Sequence, residues 1–342
     1  MTKLLKIAAK TIGFLFEWIL ILFIAFAFLI RSFPFQTFLA HQATKFLSKE
    51  LNTKVEIERV EIVFLNKVLL KDVLILDRKK DSILYSKEIS LKLEKLDLKK
   101  NEFVIGKTNL NSGAINIDRN KKTGEYNYQF IADYFSSDSK AKSKPATLIF
   151  KDIRISNFNM RYDDFRKSQL AYGLDYDHIK INELGVQISD LKIEDDVISL
   201  NLKDLKLKEQ CGLTIEKLNS QINVSSNGIR LEKFHLKTPK TKLNCSRLSL
   251  LYNDWEDFDL FEDNVNFDVE ILPSHVSLSD VSIFAPDIEG MDAKLFIKGR
   301  VTNPVSKLTI SNLDLRYGKK TIIQGNFILP DFRKEGLANL NE

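Results

Sequence analysis

Cysteine is nearly absent from this chain of 342 residues. Cys211 and Cys245 are the only two, which excludes a disulfide scaffold and a cysteine-rich zinc module. Glycine (13) and proline (7) are also sparse, so collagen-like and Gly/Pro low-complexity material is excluded and a glycine-rich phosphate loop is disfavoured. The four histidines, His41, His178, His235 and His275, have no second ligand at a zinc spacing, and no HExxH pattern occurs. GxSxG, Walker A and dinucleotide fingerprints are missing. The acidic stretch 257–268 fails as a calcium loop, because Glu262 stands at the glycine position and Phe261 replaces an oxygen ligand. Asp163-Asp164 and Asp195-Asp196 fall in expected turns and read as solvated pairs. No catalytic residue, metal site or cofactor is expected, and the chain reads as a non-enzyme. A strong charge of one sign is lacking too. With 51 basic and 46 acidic residues the net charge is +5, and the lysines mostly alternate with apolar residues along expected strands. That pattern is a solvated outer face, and nucleic acid is not an expected partner.

What is present begins with an apolar run. Residues 11–30 carry one charge, Glu17, and a helix of about twenty residues spans ~30 Å of hydrocarbon. Trp18, Leu22, Phe26 and Ile30 represent the expected membrane anchor. Lys3, Lys6 and Lys10 precede the run, which places the N-terminus in the cytoplasm and the bulk of the chain across the membrane. Glu17 reads as a snorkelling residue near the cytoplasmic end. The rival is a signal peptide cut at Ala25-Phe26-Ala27. The apolar run continues through Phe28, Leu29 and Ile30, which favours an uncleaved anchor. After Pro34, residues 35–51 place Phe35, Phe38, Leu39, Ala43, Phe46, Leu47 and Leu51 at helical intervals. This segment is expected to cap the β-structure that follows, the alternative being a helix lying on the membrane surface.

From Asn52 the apolar period becomes two. Ile89-Ser90-Leu91-Lys92-Leu93, Ile198-Ser199-Leu200-Asn201-Leu202 and Val265-Asn266-Phe267-Asp268-Val269-Glu270-Ile271 alternate, which marks antiparallel strands with one dry and one wet face. Asn227-Gly228 predicts a hairpin and Lys121-Lys122-Thr123-Gly124 another turn. A short helix is expected over Leu278, Val281, Phe284 and Ala285, stopped by Pro286. Residues 136–146 hold no large apolar side chain and read as a linker or long loop. The expected organisation is therefore 1–34 tail and anchor, 35–51 amphipathic cap, 52–135 first β-segment, 136–146 linker, and 147–342 second β-segment, read as continuing past Glu342. The two cysteines are expected as small residues packed inside or at strand ends; a bridge is open only if their strands are neighbours.

The order of these pieces resembles a known family. The runs Val68-Leu69-Leu70-Lys71-Asp72-Val73, Leu74-Ile75-Leu76-Asp77, Ile115-Asn116-Ile117-Asp118-Arg119 and Gly124-Glu125-Tyr126-Asn127, ending in Phe130-Ile131, look like the N-terminal region of AsmA-like proteins of the TamB type, the translocation and assembly module subunit. Phe284-Ala285-Pro286-Asp287-Ile288-Glu289-Gly290, then Gly299-Arg300-Val301, Leu313, Gly325 and Leu329-Pro330-Asp331, resembles it as well. The resemblance implies a mainly β fold: an anchor helix and capping helix leading into an elongated antiparallel β-groove, U-shaped in section and apolar inside. It also implies transport of phospholipid between inner and outer membranes, outer-membrane biogenesis, and work with an outer-membrane barrel of the TamA or BamA type. The family's C-terminal region, which reaches that barrel, is not in this chain.

Periodicity by itself favours a closed sandwich, in which two dry faces cover each other. The groove follows from the resemblance. On that reading Leu91, Leu93, Ile198, Leu200, Leu202, Val265, Phe267, Val269 and Ile271 line the groove and meet phospholipid acyl chains. The alternative function is a scaffold for inserting outer-membrane β-barrel proteins without conducting lipid.

Overall fold

The structure is a computed structural model and describes residues 32–63, 66–97, 102–135, 147–194 and 197–329, with Ile21, Phe28 and Leu29. The anchor residues Trp18, Leu22, Phe26 and Ile30 and the linker 136–146 lie outside the described residues. Among the described residues no helix is long and apolar enough to cross a membrane.

Fourteen strands form one open sheet whose spatial order is the chain order. They are β1 (Val55–Val63), β2 (Lys67–Leu76), β3 (Ser82–Asp97), β4 (Glu102–Arg119), β5 (Thr147–Asp164), β6 (His178–Glu194), β7 (Val197–Glu209), β8 (Thr214–Ser225), β9 (Gly228–Lys237), β10 (Lys242–Leu251), β11 (Asn266–Ser277), β12 (Lys294–Asn303), β13 (Thr309–Tyr317) and β14 (Thr321–Ile328). Thirteen intervals of ~4.8 Å carry the sheet about 60 Å in its hydrogen-bonding direction. Among the described residues there is one sheet, with no second sheet over it as in a sandwich.

Two expectations need correction. The sheet is not wholly antiparallel, because β4 and β5 pair in parallel from Glu102↔Thr147 to Arg119↔Asp164. Parallel neighbours need a crossover of a dozen residues or more, and the segment between Arg119 and Thr147, with α2 (Gln129–Phe135), supplies it. The same pairing merges the two β-segments, expected on either side of 136–146, into one sheet.

The first helix, α1 (Phe33–Glu50), has Pro34 in its first turn, where no N–H is needed. It lies along the edge strand β1. Leu39, Ala40, Ala43 and Leu47 pack with Val55, Ile57, Val60 and Val73, and Phe130 of α2 joins the same cluster. Ser48 ties the helix end to the strand: Val55 N donates to Ser48 Oγ at 3.0 Å. Phe38 and Phe46 remain exposed.

The strands are interrupted by one recurring local device. In Leu70-Lys71-Asp72-Val73, Leu110-Asn111-Ser112-Gly113, Ile155-Ser156-Asn157-Phe158, Leu202-Lys203-Asp204-Leu205, Leu231-Glu232-Lys233-Phe234 and Ile310-Ser311-Asn312-Leu313 an inward-facing residue is followed by the next three positions later instead of two. The third residue of each has a positive φ: Asp72 48°, Ser112 55°, Asn157 55°, Asp204 51°, Lys233 51°, Asn312 53°. Glu183 and Asp190 repeat it in β6. A spacing of three in a flat strand would turn every later side chain to the other face. The left-handed residue absorbs the extra position, so both halves keep the same face, and such a bulge bends its strand.

These positions are aligned from strand to strand. Asp72 sits between the pairs Lys71↔Glu88 and Val73↔Ser86, and Ser112 between Glu88↔Asn111 and Ser86↔Gly113. Asn157 follows between Asn111↔Ser156 and Gly113↔Phe158. Register shifts continue the line through Leu202/Leu205, Asn219/Gln221, Cys245/Arg247, Ile271/Ser274, Lys298/Arg300 and Ile310/Leu313. Polar side chains on neighbouring strands satisfy the ladder groups this leaves free. Asp204 N donates to Asn219 Oδ1 at 2.7 Å, Asn244 N to Ser274 Oγ at 2.9 Å, and Asn312 N to Asn326 Oδ1 at 2.8 Å. Buried Ser220 Oγ donates to Glu232 O at 3.0 Å. A backbone group that is buried and left without such a partner would cost ~1–3 kcal/mol.

Along this crease the sheet is tightly packed. Phe158 is 0% exposed, and Ser86, Leu184, Phe234, Cys245 and Ser274 are buried beside it or further along the line. Gly113 is small because a Cβ there would fall 2.7 Å from Phe158 Cζ and closer still to the Tyr85 carbonyl oxygen.

Three local details differ from expectation. The β8–β9 hairpin turns at Ser226-Asn227, one residue early, because Ser225 pairs directly with Gly228; Tyr252 Oη donates to Ser225 O at 2.8 Å and pins that corner. The helix at 278 is one turn, α4 (Leu278–Val281), and Pro286 starts a 3-10 turn instead of ending a helix. Two short elements, the 3-10 turn Trp255–Leu260 and α3 (Phe261–Asn264), precede β11.

Phe158→Ala should cost about 3–5 kcal/mol, and Gly113→Val, which overpacks the same place, about 1–3 kcal/mol or more. Urea denaturation with tryptophan emission reads both. A loss below 1 kcal/mol at either position would mean the crease is not tightly packed.

Candidate functional site: an apolar face crossing every strand

Because the bulges keep the side chains in phase, apolar residues meet in direct register from strand to strand. One row runs Val60–Leu70–Ile89–Leu110–Ile155–Val186 across β1 to β6. Beside it, Ile62–Val68–Leu91–Thr108–Ile153–Ile188–Leu202 reaches β7. From β7 the face continues as Leu200–Ile222–Leu231–Leu248–Val269–Val301–Ile310–Phe327, one residue from each strand to β14. All eight residues of this last row are half-buried. In a sandwich core the opposing sheet would bury them fully.

The reverse face is polar. Asp268 lies between Arg247 (2.9 Å) and Arg300 (3.1 Å), while Lys208–Glu183 and Lys217–Asp204 pair across neighbouring strands. These exposed pairs add little stability, but they show which face is wet.

Of the residues singled out from sequence, Leu91, Leu200, Leu202 and Val269 lie on these rows. Phe267 and Ile198 lie on an adjoining one, Ile198–Val224–Ile229–Leu250–Phe267. Leu93 pairs with Ile105 near the far end of β3. Ile271 falls at the crease, between Cys245 and Gly299. Val265 precedes β11 as the residue that ends α3 and is 0% exposed, so it presents no surface.

Sequence reasoning missed the aromatic cluster beside Phe267. Its ring meets Phe261 edge to face at 5.8 Å, and Phe258 links Phe261 to Tyr252 and Trp255 at 5.0–6.0 Å between ring centres. The signal was available: five aromatic residues fall within 252–267.

At the opposite strand ends, the connector 165–177 crosses to the β11–β12 connector. Leu174 N donates to Ile283 O at 2.9 Å, and Tyr172 Oη lies 3.2 Å from Ser282 Oγ. That connector is in turn tied to the β9–β10 turn, where Thr238 Oγ1 donates to Asp280 Oδ2 at 2.6 Å. In a flat sheet β6 and β11 would stand about 24 Å apart, so this strap holds together ends that are distant in strand order. Its root is ionic. Buried Asp164 accepts from Arg166 at 2.7 Å with Arg119 at 3.6 Å, and the Arg166 hydrogen bond holds its carboxyl down at about 2. His178 Nδ1 lies 3.0 Å from Asp163 Oδ1, and its Nε2 lies 3.3 Å from Lys167 O.

Among the described residues no group of three His, Cys, Asp or Glu is placed to hold a metal ion. Cys211 and Cys245 are free thiols, and burial pushes Cys245 up to about 11, away from the reactive thiolate. A cavity of ≈ 480 Å³ is lined by Asp77 after β2, Asn116 and Asp118 of β4, Arg161 of β5 and Phe130 of α2. In comparison with known proteins no family profile matches the chain, and no curated protein or solved structure does. Fold and site define a class only: among the described residues, one open sheet with a half-buried apolar face.

The Asp163 hydrogen bond raises the His178 pKa above its usual value. Both acceptors favour the imidazolium, so its stabilisation is complete below pH ~6.5 and is lost as pH rises through the folded pKa. Backbone amides of 165–177 should therefore exchange faster with deuterium at pH 8 than at pH 6, after correction for intrinsic rates. Asp163→Asn should flatten that difference; an unchanged profile would show that the pair does not secure the strap.

Proposed function

We propose that this chain is an AsmA-like, TamB-type protein: an inner-membrane-anchored periplasmic β-groove that conducts phospholipid between the two membranes and supports outer-membrane biogenesis. The observation that carries the reading is the half-buried apolar row from Leu200 to Phe327, joined to its counterparts in β1–β6, with no second sheet over it among the described residues. In this reading the aligned bulges fold the sheet into a trough, the strap maintains its curvature, and α1 closes the first edge. Residues 11–30 anchor it, and the exposed Phe38 and Phe46 meet the outer leaflet of the inner membrane.

An uncovered apolar face must be covered by something. At ~0.8 kcal/mol per methylene withdrawn from water, six methylenes of an acyl chain contribute about 5 kcal/mol. This binding requires no polar contact, so a chain can slide between equivalent positions. A row repeating at every strand supplies such positions with no deep pocket to trap the lipid. The second reading, a scaffold for barrel assembly, is favoured by β14, which among the described residues pairs on one side only.

A photo-crosslinking residue at Leu231 or Leu248 should capture phospholipid in cells, and one at Asp268 or Glu270 should not. Equal capture from both faces, or none from either, would overturn conduction and leave the scaffold. Leu200→Asp should keep the circular dichroism spectrum, because a half-buried carboxylate stays hydrated, yet co-purify with several-fold less phospholipid by mass spectrometry. Topology has its own test: a cysteine replacing Ser139 should react with an impermeant thiol reagent in intact spheroplasts. Labelling only after lysis would reverse the orientation.

A further inference from the structure

At the ends of β4 and β5 the apolar face gives way to charge. Beyond the bulges of these strands, alternation keeps Ile115, Ile117 and Arg119 of β4 on the side of the apolar rows, with Met160, Tyr162 and Asp164 of β5. The pairs run Ile115↔Met160, Ile117↔Tyr162, Arg119↔Asp164. The wall therefore passes from aliphatic side chains through a tyrosine to ions within about 13 Å of strand. Tyr126 stands opposite Arg119 in an antiparallel bridge, and the Arg119 guanidinium lies 5.1 Å from its ring centre.

Two arginines share one carboxylate here and hide it. The Asp164 side chain is 2% exposed, against 31% for Arg119 and 35% for Arg166, so the cluster presents positive charge outward. Arg166 uses Nε and Nη2 on Asp164. Arg119 donates from Nε to Gly124 O at 2.9 Å and stays 3.6 Å from the carboxylate. Among the described residues Arg119 Nη2 and Arg166 Nη1 have no acceptor. Both guanidiniums lie beside Gly124, where a Cβ would stand 3.5 Å from Arg166 Nη1. Phe165 N donates to Arg119 O at 3.2 Å, which ties together segments 119–125 and 164–167. These segments carry five cations and two anions. Burial, with the Tyr126 hydroxyl beside it, pushes the Tyr162 hydroxyl up to about 12, so it stays a neutral donor.

We propose that Arg119 and Arg166 bind the phosphodiester of a phospholipid whose acyl chains lie on the apolar face of β4 and β5. This rests on the lipid reading above and adds to it where the headgroup sits and which of its groups is recognised. Guanidinium N–H groups match phosphate oxygens in geometry and charge. The single negative charge of a phosphodiester balances the single net positive charge of two arginines and one aspartate. A lipid without phosphate gains only the contacts of its chains.

The full chain in detergent, offered equal amounts of dioleoylphosphatidylglycerol and dioleoylglycerol, should retain the phospholipid about tenfold over the diacylglycerol by mass spectrometry. Arg119→Gln leaves Arg166 on Asp164, so it should keep the circular dichroism spectrum and the diacylglycerol binding. It should lose most of the preference for phosphate. Arg119→Lys gives up the ring contact and the Gly124 hydrogen bond but keeps the charge, and should retain most of that preference. Equal losses in both variants would show that Arg119 only supports the turn, and would overturn the proposal. Equal retention of the two lipids by the unaltered chain would overturn it too, leaving the lipid reading intact; retention of neither would overturn both. Displacement of the phospholipid by millimolar glycerol 3-phosphate would assign the site to a soluble phosphate ester instead.

Discussion

The left-handed residue inserted in the middle of the strands is the constraint on which the rest of this structure depends. Asp72, Ser112, Asn157, Asp204, Lys233 and Asn312 adopt a conformation that L-residues accept at some cost, least for Asn and Asp. Without it, the apolar residues beyond each bulge would face the wet side. With it, strands longer than a flat two-residue repeat could serve still present one apolar face. The aligned bulges also bend neighbouring strands along a common line, where small residues such as Ser86, Gly113 and Ser274 allow close approach and Phe158 fills the floor.

The polar groups inside the sheet follow from the same constraint. At several bulges serine or asparagine side chains from adjacent strands take up freed ladder groups. Ser220 and Ser274 are therefore buried for a backbone reason. What distinguishes this sheet from an ordinary core is that the rows on either side of the crease stay half-buried. A globular domain would close a second layer over them. Among the described residues α1 and α2 pack over the first strands, and the Phe261 ring packs on Phe267 at β11. The strap from 165–177 to the β11–β12 connector ties together strand ends that are distant in strand order.

Much of this was legible in the residues. The two-residue period in 198–202 and 265–271 correctly separates Leu200, Leu202, Phe267 and Val269 from Asp268 and Glu270. The capping helix was legible because Leu39, Ala43 and Leu47 recur at helical spacing. Val265 was misplaced because alternation cannot tell the last residue of a helical turn from the first of a strand. The crease left a signal too, in the recurring apolar–polar–polar–apolar spacing, but that spacing also ends strands and opens turns. Only pairing partners distinguish these uses. The turn at Ser226-Asn227 shows the same limit, since Asn227-Gly228 is a valid hairpin centre locally and the Ser225↔Gly228 pair overrides it.

The chain alone therefore determines the local matters: β-strands from Asn52 onward, which side of each strand is dry, and a helix before them. These follow from side-chain spacing within a few residues, where the backbone period sets the outcome. Tertiary structure decides that the described strands share one sheet, that β4 and β5 run in parallel, that the bulges align, and that one apolar face stays half-buried. Each of these depends on which distant strand supplies the hydrogen bonds. An alternating strand offers the same N–H and C=O groups to any neighbour, so a local pattern cannot record the choice.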